Sequence, residues 1–477
     1  MTLDVSPRTR ETVGASGDAP LTGELLVQDV RAIDAETTTV VDWLEDNIGG
    51  KVVSIARQPR WRPQWIADVD TGDELVPLMV RGERYDCDMT WPLRHEYDLQ
   101  RTMDAVGIRV PKVWGWIDKP ASFVMSRVPG SSWTKELPEK ERDTIVDEYV
   151  QELARLHTAD FTPFLEVGID RAKPGENPAT IGFNRMNAMY RRQKHHYDPQ
   201  TEFFIDFLTR HPIQSNGREA AIVWDSGQFM HDGGHFTHII DVEIGHIGDP
   251  MMDLAGWRMR DSIMDFGDFN KIYDRYSDLV GEPVDIKAIE WHHIYFTLSN
   301  QLAFSHARVD PPVNSDFATN MQWCNETNLY ATEALAEYLD VELPTVDTPA
   351  DEETMAAPAI DHLVKTLSTL RVTDEYAAYK LRGAFREARH VQRWDQIGRQ
   401  LEDDNLDDLH AFLGVRPADF RDGDRLLEEF VHTKNANGAH DTELCQLFHK
   451  RNLRSQMLNG PLGSAMARHI PIQSFRS

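Results

Sequence analysis

The stretch IIDVEIGHIGDPMMDLAG, Ile239 to Gly256, places four carboxylates among glycines and apolar residues. An apolar run ends at Asp241, and Glu243, Asp249 and Asp253 follow it at short intervals. Carboxylates are costly wherever burial leaves them unpaired. We therefore expect these four either to bind something positive, such as a metal ion, or to brace a loop through hydrogen bonds.

The composition limits the class of protein. A chain of 477 residues has room for two or three domains and a large core. Its 78 acidic and 50 basic residues give a formal net charge of -28. Binding to nucleic acid or to an anionic membrane surface needs basic patches, so this charge argues against both.

Cysteine usage and the N-terminus predict a cytoplasmic protein. Cys87, Cys324 and Cys445 are odd in number and far apart, which indicates reduced thiols. No stretch approaches the roughly 20 apolar residues of a membrane span. Residues 1–24 lack an apolar signal region and are expected to be a disordered leader.

Hydrophobic periodicity divides the rest of the chain into three parts. Residues 25–128 alternate strand patterns with one amphipathic helix, which predicts a sheet-rich lobe. Residues 129–343 are mostly helical but contain QFMHDGGHFTHIID, two apolar strands around a tight Gly-Gly turn. A linker then leads to residues 352–477, which predict an all-helical domain.

Residues 222–257 resemble the core signature of the aminoglycoside phosphotransferase family. That family has His-Gly-Asp, four residues, Asn, a hairpin, Ile-Asp-Trp-Glu and then Gly-Asp-Pro-x-x-Asp-Leu-Ala. This chain reads IDVE at 240–243 and a complete GDPMMDLA at 248–255. The segments GIRVPKVWGW, SFVMSRVPG and ELARLH are also similar to family segments and occur in the family's order. The resemblance covers residues 25–340.

The resemblance implies an α+β, two-lobed protein-kinase-like fold with an additional C-terminal all-α domain. It also implies ATP and Mg²⁺ as cofactors, and an O-phosphotransferase (kinase) acting on a hydroxyl of a small molecule. The expected partner is thus a small-molecule substrate, with no nucleic acid and no membrane. A homodimer through the C-terminal helical domain is a further expectation.

Site roles follow from the same resemblance. Asp225 takes the place of the catalytic base, and Asp241 and Gln228 take the places of the metal ligands. Arg81 and Glu96 form the phosphate-gripping pair, and the backbone of Met125, Ser126 and Val128 would bind adenine. Asp249 and Asp253 would brace the catalytic loop.

Two departures from the family pattern leave a second reading open. The catalytic loop reads IVWDSGQFM, so two residues are missing between Asp225 and Gln228, and Val223-Trp224 replaces His-Gly. The phosphate loop, RQPRWRPQW at 57–65, contains no glycine. Its Arg57, Arg60 and Arg62 could grip phosphate, bind another anion or lie on the surface. The alternative function is a degenerate kinase fold that binds a ligand or protein partner without phosphoryl transfer.

Overall fold

The structure is a computed structural model that describes residues 34–60, 62–84, 89–213, 217–312, 315–459 and 469–475. The expected leader and Cys87 lie outside these residues. The other two cysteines, Cys324 and Cys445, are buried free thiols. Among the described helices, none combines the length and apolar character that crossing a bilayer requires.

The small lobe is a five-stranded antiparallel sheet with two helices. Its elements are α1 (Ala35–Leu44), which continues in a π-helical turn (Glu45–Gly49), β1 (Lys51–Arg57), β2 (Gln64–Asp70), β3 (Leu75–Gly82), α2 (Leu93–Ala105), β4 (Val113–Ile117) and β5 (Ser122–Ser126). The strand order is β1-β2-β3-β5-β4. Val76, Leu78 and Val80 alternate along β3 and are buried against the apolar face of α1.

The link between the lobes is pinned to the hairpin of the large lobe. Ser131 and His231 exchange two backbone hydrogen bonds of 2.9 and 2.8 Å. Gly130 has φ +101°, and a Cβ there would lie 2.1 Å from the carbonyl oxygen of His231. Only glycine fits this close approach.

The large lobe surrounds two short β-pairs with helices. Its elements are α3 (Glu139–Thr158), α4 (Thr162–Glu166), a 3₁₀ turn (Pro178–Thr180), α5 (Ile181–Gln193), α6 (Pro199–Arg210), β6 (Ala220–Ile222), β7 (Phe229–Asp232), β8 (His235–Ile239), β9 (His246–Gly248), α7 (Met251–Met264), α8 (Phe269–Val280), α9 (Ile286–Thr297), α10 (Ser299–Val309) and α11 (Phe317–Leu339). Strand β6 pairs with β9, and β7 with β8. The predicted hairpin is therefore present.

The C-terminal region is all helical. It comprises α12 (Ala357–Thr369), α13 (Glu375–Arg393), a π-helical turn (Trp394–Gly398), α14 (Arg399–Leu413), α15 (Phe420–Thr433) and α16 (Asp441–Leu458). Its apolar residues join the core of the large lobe: the rings of Phe203 on α6 and Phe448 on α16 are 5.5 Å apart, and Leu427 and Leu444 are fully buried in the same cluster.

A final segment, residues 469–475, returns to the large lobe. The backbone carbonyl of Gln473 accepts a 3.0 Å hydrogen bond from Arg258 Nε, and the ring of Phe475 lies 3.7 Å from the Arg258 guanidinium carbon. The predicted two-lobed, kinase-like α+β fold with extra C-terminal helices is confirmed. The domain boundaries and self-association through the helical region remain predictions.

Candidate active site

The structure brings the two predicted phosphate-gripping residues together. Arg81 is near the end of β3, and Glu96 is in the first turn of α2. Arg81 Nε lies 2.8 Å from Glu96 Oε1, and both side chains are buried. The pair thus fixes the Arg81 guanidinium between β3 and α2.

The same arginine reaches the large lobe. Its Nη2 donates to Asp241 Oδ1, and lies 3.1 Å from Glu243 Oε2. Asp241 is two residues beyond the end of β8 and has φ +59°, which turns the chain sharply at this point. The predicted metal ligand is thus ion-paired with Arg81.

The arginines of the glycine-free loop have different surroundings. Arg62 is 4% exposed, pairs with Glu243 and lies 3.7 Å from Glu96, so it joins the two lobes. Arg57 lies 3.5 Å from Glu36 and packs over the Trp65 ring. Both side chains are therefore paired with carboxylates. Arg60 donates a 3.3 Å hydrogen bond to Gln64, and its charge contributes to lowering the pKa of Asp241.

Burial and charge shift the pKa values of this cluster in opposite directions. Burial alone would raise the pKa of Asp241, but Arg81, Arg62, Arg60 and Arg260 lower it to about 2. Burial raises the pKa of Glu96 to about 7, although Arg81 and Arg62 oppose the rise. Asp241 is therefore ionised at neutral pH.

The shortened catalytic loop holds Asp225 with two partners. Gln228 Nε2 donates to Asp225 Oδ2 at 2.7 Å. Arg260, on α7, donates to Oδ1 from Nε at 3.0 Å and to Oδ2 from Nη2 at 2.6 Å. Burial raises the pKa of Asp225, while Arg260 opposes the rise. The carboxylate predicted as a base is thus ion-paired on both oxygens.

Asp253 contacts the backbone of the catalytic loop. Its carboxylate accepts from the N–H groups of Val223 (3.1 Å) and Trp224 (2.5 Å), and lies 2.9 Å from His157 Nε2. His157 Nδ1 is in turn 2.8 Å from the hydroxyl of Tyr276. Asp253, which was predicted to brace the catalytic loop, is thus a buried carboxylate with partners on both oxygens.

Asp249 has a more local role. Its Oδ1 accepts a hydrogen bond from the N–H of Met251 at the start of α7 (2.9 Å). A negative charge at this end of a helix also interacts favourably with the helix dipole. Its Oδ2 lies 3.6 Å from His292 Nε2. This carboxylate stabilises the start of the helix and contacts α9.

In the hinge segment, residues 125–128, some backbone N–H groups already donate to other backbone carbonyls. The N–H of Ser126 donates to Lys112 and the N–H of Arg127 donates to Pro77. Met125 is paired in the sheet on both sides. Among the described residues the N–H of Val128 has no such partner, so it is the hinge amide best suited to a ligand.

Three aromatic side chains of α5 and α9 are core residues. Phe183 and Tyr295 pack edge to face with ring centroids 5.0 Å apart, and Trp291 packs against both. All three are at most 5% exposed. They give no information about the substrate.

Two residues of the site, Arg260 and Tyr149, were not predicted from the sequence. Arg260 is seven residues after Asp253, so helical periodicity places it on the same face of α7, and that signal was available. Tyr149, on α3, places its hydroxyl 2.7 Å from Ser226 Oγ and accepts from the N–H of Gly227 at 2.8 Å. No local pattern marks Tyr149 as a partner of the catalytic loop.

Residues 92–276 match the profile of the phosphotransferase enzyme family, in agreement with the resemblance found in the sequence. The matched range contains Glu96, Asp225, Gln228 and Asp241, and it supports a small-molecule phosphotransferase activity. No curated protein matches the sequence.

Several solved structures are similar at low identity. Choline kinase LicA from Streptococcus pneumoniae is 12% identical over 62% of this chain and 98% of that chain, with a TM-score of 0.43. Macrolide 2'-phosphotransferase MphH from Brachybacterium faecium is 14% identical over 57% of this chain and 93% of that one, with a TM-score of 0.41. A thermostable mutant of aminoglycoside phosphotransferase APH(4)-Ia, in a ternary complex with AMP-PNP and hygromycin B, is 15% identical over 61% and 97%, with a TM-score of 0.43. Sequence identities and TM-scores this low do not indicate the substrate of this chain.

Proposed function

We propose that this phosphotransferase-like chain transfers a phosphoryl group from ATP, in the presence of Mg²⁺, to a hydroxyl of a small molecule. The observation that carries the proposal is that Gln228 links the segments of the two catalytic-type carboxylates: its side-chain amide donates to Asp225 at 2.7 Å, and its backbone carbonyl accepts from the N–H of Ile240, next to Asp241, at 3.1 Å. The charge of Asp241 raises the pKa of Asp225, so the two share one electrostatic environment, and the Arg81–Glu96 pair faces Asp241 from the small lobe.

The residues present fit magnesium and a triphosphate. Carboxylate and amide oxygens are the hard ligands that Mg²⁺ prefers, and Asp241 and Gln228 supply them. Gln228 turns its amide nitrogen to Asp225, so Oε1 would be the atom that it offers to the metal ion. Among the described residues, Arg62 Nη1 is a buried donor without a hydrogen-bond partner, which a phosphate oxygen would satisfy.

Each residue then has a defined task. When bound, the metal ion offsets the negative charge of the phosphates. Arg81 would hold the phosphates while Glu96 orients it. Asp225 would accept the proton of the acceptor hydroxyl as the hydroxyl oxygen bonds to the γ-phosphorus and the bond from the γ-phosphorus to the bridging oxygen breaks, which leaves ADP.

A specific observation favours the second candidate, a degenerate kinase fold that binds a ligand or partner without phosphoryl transfer. Asp241 is ion-paired with Arg81, and Asp225 with Arg260. Both carboxylates are thus neutralised by the protein itself. For transfer to occur, Arg81 must exchange the Asp241 carboxylate for phosphate oxygens.

Titration of ATP with and without Mg²⁺, by calorimetry and thermal shift, separates the two candidates. Phosphoryl transfer requires binding that depends on Mg²⁺ and is lost in Asp241→Ala. Asp232→Ala, an exposed carboxylate in the same hairpin, is the matched control and should bind as the wild type does. ATP well above its Kd should raise the apparent stability by a few kcal/mol.

A screen for ATP consumption over hydroxylated metabolites then identifies the acceptor. Turnover that survives Asp241→Ala would refute the metal assignment. If ATP does not bind under any magnesium condition, the carboxylates only brace the fold and the binding-protein candidate is correct.

A further inference from the structure

One face of α7 forms a platform under the catalytic loop. Asp253, Gly256, Trp257 and Arg260 follow the helical spacing i, i+3, i+4 and i+7, and so lie on one side of the helix. Every one of them contacts residues 223–228. The platform is therefore continuous from the backbone of Val223 to the side chain of Asp225.

The contacts along the platform are close. A Cβ on Gly256 would lie 2.3 Å from the carbonyl oxygen of Trp224, so the loop backbone lies directly on the helix. Gly227 has φ +84°, and a Cβ there would lie 2.6 Å from the Trp257 ring and 3.4 Å from Arg260 Cδ. Two glycines on opposite sides of the contact thus let the loop and α7 approach each other.

Arg260 ends the platform with a forked contact. Its guanidinium reaches both oxygens of Asp225, at 3.0 Å for Nε–Oδ1 and 2.6 Å for Nη2–Oδ2, and the arginine is 5% exposed. Forked arginine–carboxylate pairs fix orientation as well as charge. Since Gln228 adds a bond to Oδ2, the carboxylate is restrained in its plane.

The shortened loop explains the need for this restraint. Two residues are missing between Asp225 and Gln228, and each extended residue spans roughly 3.3 Å. A loop shortened in this way cannot by itself orient the side chain of Asp225. We propose that Arg260 is a positioning residue that holds the Asp225 carboxylate toward the acceptor hydroxyl, in place of the missing part of the loop.

This inference rests on the proposed function and is tested through ATP hydrolysis with water as the acceptor. Phosphate release from Mg²⁺–ATP is measured for the wild type, Arg260→Ala and Arg260→Lys. Arg275→Ala is the matched control, because Arg275 lies on the neighbouring helix α8 in a half-exposed pair with Asp147. Binding of Mg²⁺–ATP is measured separately by calorimetry, and thermal unfolding checks that each variant is folded.

We expect Arg260→Ala to lower kcat by about 10- to 100-fold, with KM for ATP and the calorimetric Kd unchanged. Added guanidinium chloride at tens of millimolar (far below denaturing concentrations) should restore part of kcat in Arg260→Ala and should not affect Arg275→Ala. Arg260→Lys keeps the charge but not the fork, so its kcat should lie between those of the wild type and Arg260→Ala. If Arg260→Ala does not fold, Arg260→Lys carries the test.

The outcomes separate this inference from the proposed function. A wild type that does not bind Mg²⁺–ATP overturns the proposed function, and this inference with it. A wild type that binds but releases no phosphate overturns the positioning role alone, since a correctly held base would serve water. Unchanged kcat in the Arg260 variants, or an equal loss of kcat and of ATP affinity without rescue, likewise overturns the role of Arg260 and leaves the proposed function standing.

Discussion

Arg81 of the small lobe and Asp241 of the large lobe form an ion pair across the cleft, with side chains only 7% and 12% exposed. Arg62, Glu96 and Glu243 join them in one cluster. The cluster holds two guanidinium groups against three carboxylates. The lobes are thus held together by charges that have little access to water.

Removing Arg81 should therefore destabilise the protein strongly. Arg81→Ala leaves buried carboxylates without their main partner, and breaking a buried pair in this way costs about 3–5 kcal/mol. Denaturant unfolding of the wild type and the variant measures the loss. Arg275→Ala breaks a half-exposed pair and should cost no more than about 1 kcal/mol. Equal losses for the two variants would contradict the buried network.

Asp253→Asn should loosen the catalytic loop. The amide keeps the shape of the side chain but replaces one acceptor oxygen with a donor, which then faces the N–H of either Val223 or Trp224. A buried donor left unpaired costs about 1–3 kcal/mol of unfolding free energy. Asp268→Asn, at the exposed N-cap of α8, is the control, since Asn caps a helix as well as Asp does. A loss in Asp253→Asn no greater than that of the control would show that the bracing is weak.

The hinge glycine gives a prediction about backbone geometry. Gly130→Ala combines a left-handed φ with a clash against the His231 carbonyl, so we expect a loss of about 3 kcal/mol or more. Gly233 also has a positive φ, +56°, but a Cβ there meets nothing within 4 Å. Gly233→Ala should therefore lose only about 1–2 kcal/mol. Thermal unfolding of both variants separates the effect of the steric clash from that of the positive φ. Similar losses of stability in the two variants would contradict the close approach at Gly130.

The returning segment should be held less tightly at alkaline pH. Burial would lower the pKa of His469, but Glu326 and Glu333, at 2.8 and 2.6 Å, raise it to about 9. Since this pKa lies above the unfolded value of about 6.5, the stabilisation is complete below that pH and is lost as the pH rises through 9. It amounts to at most about 3 kcal/mol.

His469→Gln tests this dependence. The variant should be less stable than the wild type at pH 6 and nearly equal to it at pH 9.5, as measured by denaturant unfolding. His362, exposed on α12, provides the control variant His362→Gln. A stability difference that stays constant from pH 6 to pH 9.5 would mean that packing of the ring on Tyr330, and not its charge, holds the segment.

Local patterns were sufficient for much of the fold. The apolar alternation of β3, the Gly-Gly hairpin and the GDPMMDLA spacing each depend on neighbours in the chain, so the sequence predicted them directly. The pairing of α6 with α15 and α16 was not predicted, since an apolar stripe such as that of Leu427 and Val431 does not specify its partner. The sequence predicts the helical region as a domain of its own, and the structure adds that its apolar residues share one core cluster with those of the large lobe.

Part of the candidate site could not be predicted for a related reason. The sequence leaves three readings of Arg62 open. Its burial beside Glu96 and Glu243 excludes the surface reading, although these carboxylates are 34 and 181 residues away in sequence. Arg260 meets Asp225 only because Gly256 and Gly227 allow helix and loop to touch. Contacts between distant segments decide both cases, and no local spacing encodes them.

The shared core has a consequence for how the protein is made. Phe203 on α6 emerges from the ribosome well before Phe448 on α16, with which its ring stacks. Until α16 emerges, the parts of α6 and α11 that pack on it are exposed, and exposed apolar surface of this kind binds chaperones or aggregates. Helix α7, which carries the platform, is tied to residue 473 through Arg258, so the candidate active site reaches its final form only after residue 473 has been synthesised.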